Sequence, residues 1–339
     1  MANQNIGTPR FYVDYLSYWF SQNLLYKYTH LSGVSGGFEE WLGLNPSSIA
    51  SFTSSSSGDY RNWLRFEGFS PDSLTIPSDK MWSAILGHNL ATTEKGFSSI
   101  ENTSGGNVAS TNIEVIANDA GADNAGDADV PFDGFTMRTF TPGAINITGV
   151  HFRIEGQSPG GQEVRIGSCA YGNYFDMPHS PELSLTMSHE YDGVKKQETA
   201  GGSTLSYANY YKPPDWGNLQ AWQLEGWDRK YSGRRVWDLS FNYLSDSDLE
   251  PYHYNMDGSS TDAGLINPNY KDNWFTNVLH YTNGGQLPFI FCPDPSIGYI
   301  TSTWTIPEFA ICRFDMKTFK REQVANGIYN IKVKIKESW

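Results

Sequence analysis

The sequence predicts a mainly all-β protein, on three grounds. Aromatic residues make up 15% of the chain, with 11 Trp, 20 Tyr and 19 Phe, and such side chains fit the pleated surface of a sheet. Gly, Ser, Thr and Asn are abundant while charged residues reach only 18%, a mixture that supplies tight turns rather than solvated helix faces. Apolar residues recur at every second position in several stretches, the period of a strand with one buried face. A length of 339 residues suits two compact domains with additions.

The elements follow in order. Residues 9–26, PRFYVDYLSYWFSQNLLY, hold Val13, Leu16, Phe20 and Leu24 at roughly helical spacing, so a short helix is expected. The Tyr and Trp crowded around it imply burial on most faces. Ser/Gly-rich loops follow, notably SFTSSSSGDY at 51–60. From about 60 to 175 the chain reads as short strands between turns. Residues 82–86 and 112–116 are two of them; Phe135, Met137 and Thr139 alternate with Thr136 and Arg138. Val150, Phe152 and Ile154 alternate with His151, Arg153 and Glu155, the signature of a β-sandwich. His151 falls on the polar face and reads as a surface residue.

A second β region begins near 180. Leu183, Leu185, Met187, His189 and Tyr191 share one face before a turn at Asp192-Gly193. In 233–243, GRRVWDLSFNY, Trp237, Leu239, Phe241 and Tyr243 lie on one side; Asp238, Ser240 and Asn242 lie on the other. Residues 271–282 align Trp274, Val278 and Tyr281 as a helix would, with Gly284-Gly285 to end it. PFIF (288–291), FAICRFD (309–315) and YNIKVKIKE (329–337) supply three more strands. The last turns Tyr329, Ile331, Val333 and Ile335 inward and Lys332, Lys334 and Lys336 outward. Outward lysines suit an edge guarded against uncontrolled pairing.

Charge and cysteine usage narrow the function classes. A net charge of −13 repels phosphate backbones, so no nucleic-acid partner is expected. Charge is uneven, since Lys317 to Lys336 carries six Lys/Arg; a solvated strand face accounts for that, and an assembly contact with an acidic neighbour is the other reading. Cys169, Cys292 and Cys312 show no CxxC spacing, so neither a disulfide framework nor a zinc site is expected. Cys292 and Cys312 sit in apolar runs and read as small core residues. The first twenty residues lack a basic start followed by an apolar stretch, so no signal peptide is read, and no segment reaches membrane-spanning length.

No phosphate loop, dinucleotide fingerprint, GxSxG elbow, HExxH or EF-hand loop is present. Asp119, Asp123, Asp127, Asp129 and Asp133 crowd the acidic stretch 117–133, but their spacing is not that of a calcium loop, and a solvated loop is expected. Asp176, Glu190, Asp238 and Asp246, with His179 and His189, offer acid–base groups that cannot be assembled into a nucleophile, base and orienter. The chain is therefore expected to have no catalytic residues, no metal, no cofactor and no enzyme activity. Exposed aromatics are the other functional currency, since Trp and Tyr stack on sugar faces. In YANYYKPPDWGNLQAWQLEGW (207–227) Tyr210, Tyr211, Trp216 and Trp222 are candidate carbohydrate-binding residues, with a plug between domains as the plain alternative. At 82–90, WSAILGHNL, glycine allows a sharp turn, and His88 and Asn89 can satisfy backbone groups left unpaired at the strand end. Both are read as structural loop residues.

WSAILGHNLAT, followed by alternating strands and VRIGSCAYG, resembles the discoidin-like (galactose-binding-like) jelly rolls of phage tail and baseplate proteins. The likeness covers about residues 70–175. It implies a β-sandwich jelly roll with sugar-binding loops at one end, and only His88 and Asn89 carry over. GRRVWDLSFNYLSDSDLEP, a helix, GGQLPFIFCPD, PEFAICRFD and YNIKVKIKESW resemble distal-tail and minor tail proteins of tailed bacteriophages. That likeness implies a tail-tube-like β-barrel with one flanking helix. GTPRFYVDYLSYWF is similar to marine phage structural proteins.

The organisation implied is a segment with a short helix and loops over 1–68, a galactose-binding-like sandwich over 69–178 and a barrel domain over 179–339. The implied function is that of a virion structural protein, a distal-tail or baseplate ring component joining tube to tip. Its partners would be itself in a homohexameric ring, other tail proteins and host surface glycan, with assembly in the host cytoplasm. A glycan-binding adhesin module of the tail and a capsid- or neck-associated structural protein are the alternatives.

Overall fold

The computed structural model describes residues 6–29, 38–45, 48, 50–53, 59–68, 74–76, 80–88, 94–102, 114–117, 135–140, 145–157, 163–191, 195–207, 215–216, 219–220, 233–250, 272–296, 298–300, 305–307 and 309–338. Strand β1 (Arg10–Asp14) runs straight into helix α1 (Tyr15–Ser21), and β2 (Leu25–Thr29) follows. After a 3₁₀ turn at Phe38–Trp41 come β3 (Ala50–Thr53), β4 (Asp59–Gly68), β5 (Leu74–Ile76), β6 (Met81–Leu86) and β7 (Glu94–Asn102). Next are β8 (Glu114–Ala117), β9 (Phe135–Phe140), β10 (Ile145–Gln157), β11 (Glu163–Ile166) and β12 (Ser168–Asp176). Strand β13 (Thr186–Glu190) precedes the hairpin β14 (Lys195–Glu198) and β15 (Thr204–Tyr207), the short pair β16 (Asp215–Trp216) and β17 (Leu219–Gln220), and the long β18 (Arg234–Ser245). Helix α2 (Asp246–Leu249) and a π-helix (Phe275–His280) precede β19 (Phe289–Cys292), β20 (Gly298–Ile300), β21 (Thr305–Pro307), β22 (Ala310–Phe314), β23 (Arg321–Ala325) and β24 (Ile328–Glu337).

The chain is mainly β and its strand pairs are antiparallel, as the sequence predicts. One ten-stranded sheet has the order β13-β18-β24-β22-β19-β1-β12-β6-β9, with β23 also on β24. A six-stranded sheet has the order β2-β4-β10-β7-β8, with β5 on β10. Among the described residues the C-terminal strands do not close into the expected barrel. They extend an open sheet, because β1 is paired on both sides: Val13 is opposite Asn173 of β12 and Phe289 of β19.

The ten-stranded sheet is buried on both faces at its centre, which explains its nearly continuous apolar runs. Phe11, Val13, Met81, Ile85, Tyr171, Phe289, Phe291, Trp237, Leu239, Phe241, Val333 and Ile335 belong to one core cluster, together with Phe66 and Phe152 of the second sheet. Trp274 of the π-helix caps this face, edge-on to Phe11 with ring centroids 4.9 Å apart. Tyr12, Trp82, Ala84, Leu86, Ala170, Ile290, Cys292 and Ile311 form the opposite cluster. All three cysteines are free and buried, Cys292 and Cys312 inside these layers. At one end of the core, Arg235 and Glu337 form a buried ion pair, Nη2 to Oε1 2.7 Å; removing either partner strands the other charge, at roughly 3–5 kcal/mol.

Four sequence expectations are corrected. The helix expected over 9–26 starts only at Tyr15: residues 10–14 alternate Phe11/Val13 against Tyr12 across a two-sided sheet, and Phe20 and Leu24 are 36% and 38% exposed. Asp14 makes the switch, its carboxylate accepting from Leu16 N and Ser17 N at 3.1 and 3.3 Å and from Ser17 Oγ, a side-chain N-cap. Strand β24 is interior rather than an edge. Its outward Lys334 and Lys336 pair with Asp315 and Glu190, so the lysines answer neighbouring acids rather than guarding a free rim. Tyr243 leaves its expected face, because a register shift between Phe241 and Leu244 and a φ of 60° turn it out to 75% exposure. Of the five residues expected to share a face, Leu185 and Met187 pack on the core, while Leu183 and Tyr191 lie outside the ends of β13 and are exposed, as is His189.

Candidate binding groove

The helix expected at 271–282 exists, wound as a π-helix over six residues. Trp274, Val278 and Tyr281 face the core as their spacing predicts. The helix closes in a Schellman motif: Gly284 N donates to Leu279 O at 2.8 Å and Asn283 N to His280 O at 3.0 Å, with Asn283 at a left-handed φ of 53°. Asn273 caps its start, its Oδ1 accepting from Thr276 N at 2.8 Å. A polar chain clamps it to the sheet: Asn173 Nδ2 donates to Asn277 Oδ1 (2.7 Å), and Asn277 Nδ2 to Asp272 Oδ1 (2.9 Å). Asp272 also binds Lys80 at 2.6 Å. Gly284 and Gly285 then take left-handed φ of 68° and 87°, where a side chain is strained. A Cβ on Gly285 would also press on the Phe314 ring at 3.0 Å.

π-turns are rare and recur at functional sites, and this one walls a groove of about 530 Å³. Its other walls are the end of α2 and the start of the β23–β24 hairpin. The floor is apolar, from Trp274, Leu249, Ile331 and Val333. Half-buried Phe275, Leu279 and Phe319 carry that surface towards solvent. Phe319 is held at right angles to Phe314, rings 5.1 Å apart. The rim is polar, with His280, Asn283, Glu250, Lys320 and Arg321. Tyr18 Oη lies 3.0 Å from His280 Nε2, which fixes the imidazole against α1. Burial pushes the His280 pKa below its usual value, keeping the ring neutral at pH 7. Glu250 and Arg321 pair with one another across the rim. A partly exposed aromatic surface beside neutral donors and acceptors can stack on a flat ligand and hydrogen-bond its edges.

The residues singled out in the sequence stand elsewhere. Trp216 lies on β16, but its side chain, like Tyr210, Tyr211 and Trp222, is outside the described residues. His88 follows Gly87, which has a φ of 66°, and is buried to 1% exposure. Burial pushes its pKa down to about 4. Asn89, the Asp192-Gly193 turn, the acidic segment 118–133 and the side chain of His151 lie outside the described residues. Asp176 holds Arg10 through both oxygens, at 2.5 and 3.1 Å, and Glu190 holds Lys336. Asp246 opens α2, and Asp238 is exposed opposite Thr186 and Lys334. His179 Nδ1 meets Ser180 O at 2.8 Å, and His189 lies on the edge strand opposite Arg235. Among the described residues no three His, Cys, Asp or Glu gather as metal ligands, and no helix is long and apolar enough to cross a membrane.

The groove was missed because it joins residues from three separate stretches, 249–250, 274–284 and 319–333. The signal within reach was local: KDNWFTNVLHYTNGG puts Phe275 and Leu279 on a second helical stripe beside the core stripe.

No family model matches this sequence, and no curated protein does. Solved structures that bear a likeness to the chain include CBM32-1 and CBM32-3 from a family 31 glycoside hydrolase of Clostridium perfringens. CBM32-1 is 13% identical, with 43% of this chain and 92% of that one covered at a TM-score of 0.27. CBM32-3 is 9% identical, with 44% and 92% covered at 0.27.

Proposed function

We propose that this chain acts by binding glycan, without turnover, in the groove beside the π-helix. The observation that carries this reading is the lining: Phe275 and Phe319 half-exposed over an apolar floor, ringed by His280, Asn283 and Lys320. Sugars present an apolar face and a belt of hydroxyls, and this surface offers a counterpart to each. A volume of about 530 Å³ falls among ordinary small-ligand sites. The test is a glycan array followed by calorimetry on any sugar retained. Phe275→Ala is expected to weaken binding about tenfold, by loss of ring contact on the order of 1–2 kcal/mol. Unchanged affinity would remove the groove from the reading.

A second reading places the chain in a bacteriophage virion as a distal-tail or baseplate ring component. It draws on the resemblance of the stretches at 233–251 and 284–339. One observation favours it: Leu183, Tyr243 and Val324 are exposed to 102%, 75% and 44%, which leaves their apolar surface open to a neighbouring subunit. In that setting the groove would serve a tail module that touches host glycan.

A further inference from the structure

We infer that the groove selects an acidic glycan, one bearing a carboxylate or sulfate, through Lys320. This presupposes that the groove binds glycan at all, and it follows from how the charges around it are spent. The chain carries −13 overall, so a general preference for anions is not expected of it. Yet from Lys317 to Lys336 six cations face a single acid, Glu322. Three of the six are occupied: Arg321 with Glu250, Lys334 with Asp315 and Lys336 with Glu190.

Lys320 differs from these. It lines the groove, it is exposed, and among the described residues it makes no ion pair or hydrogen bond. Glu250, the acid of the rim, is neutralised by Arg321, and His280 is held neutral by burial. Lys332 also borders the groove, exposed and without an ion pair among the described residues, but on β24 it alternates with Ile331 and Val333 of the floor, so its side chain leaves from the other face of the strand. The positive charge that a ligand meets beside Phe319 is therefore that of Lys320. A sugar stacked on that ring with its acidic group towards Lys320 Nζ gains a charge-assisted hydrogen bond, stronger than the neutral bond a hydroxyl would make.

Calorimetry with matched probes separates this inference from the reading beneath it: galacturonate oligomers beside galactose oligomers, sialyllactose beside lactose, and heparan sulfate oligomers for the sulfate arm. The expected result is that an acidic member binds about tenfold tighter than its neutral partner, with an advantage that shrinks as salt is added. Lys320→Met should abolish the difference, and Lys320→Arg should keep it; both leave an exposed site, and circular dichroism checks the fold. Equal binding of acidic and neutral members, or an acid preference that survives Lys320→Met, overturns the inference while leaving glycan binding in place. Failure of every probe to bind overturns both.

Discussion

Asp14 and His88 are both buried, and both titrate in mild acid with opposite consequences for stability. Burial pushes the Asp14 carboxyl up to about 6 from 3.8, against the hydrogen bonds from Ser17, Tyr171 and Leu16 that pull it down. A raised folded pKa gives stability that is complete below 3.8 and is lost as pH rises through about 6, a swing of about 3 kcal/mol. His88 runs the other way: its pKa falls from 6.5 to about 4, so its contribution is present above 6.5 and is lost as pH falls through about 4, again about 3 kcal/mol. His280 adds to the sense of His88. In the intact chain the opposing slopes offset one another over the shared window. Single variants should expose them. Urea unfolding from about pH 4 to 7 is expected to show Asp14→Asn losing stability on acidification more steeply than the parent, and His88→Gln more shallowly. Three parallel profiles would mean that neither group is desolvated as its burial implies.

The junction of β1 and α1 shows at element scale what a buried strand demands of its neighbour. Gly172 of β12 is opposite Asp14, and a Cβ there would stand 1.8 Å from the Val13 carbonyl oxygen and 3.1 Å from Tyr15 N. Both are backbone atoms and cannot swing aside. Gly172→Ala is therefore expected to cost on the order of 3 kcal/mol or more, whereas Gly201→Ala, with nothing within 4 Å of its Cβ, should cost little. Thermal melts of the two variants decide this, and similar melts would mean β1 can slide. Much of this level was legible in the sequence. Alternation in 329–337 and 237–241 gave the buried faces, and Trp274, Val278 and Tyr281 gave the helix, because one face of each meets a core. It failed where burial is two-sided: Phe11, Tyr12 and Val13 are all apolar and all buried, so no period distinguishes strand from helix. It failed again at Tyr243, where one bulge reverses the face, and in the groove, whose walls meet only through the strand order.

The largest scale turns on how the strand order arranges exposed apolar groups. Glu182 N donates to Ser240 O at 2.8 Å, which sets Leu183 beside β18 near Phe241. Phe241 and Leu244 are opposite Ile331 and Tyr329 of β24, and Tyr329 is opposite Gln323 of β23. Leu183, Tyr243 and Val324 therefore stand at the same end of four successive strands, and β23 is exposed along its whole length. Exposed apolar groups lined up at a sheet end suit contact with a second copy of the chain. A head-to-tail contact that closes on itself gives a ring. If the virion reading holds, light scattering behind size-exclusion chromatography should find closed rings of roughly six subunits. Leu183→Ser with Tyr243→Ser should return them to monomer without altering the melt, since both side chains lie outside the core. A parent chain that stays monomeric at every concentration removes self-assembly through this row. Glycan binding in the groove would then be left to act from a single subunit, because the groove's lining comes from one chain alone.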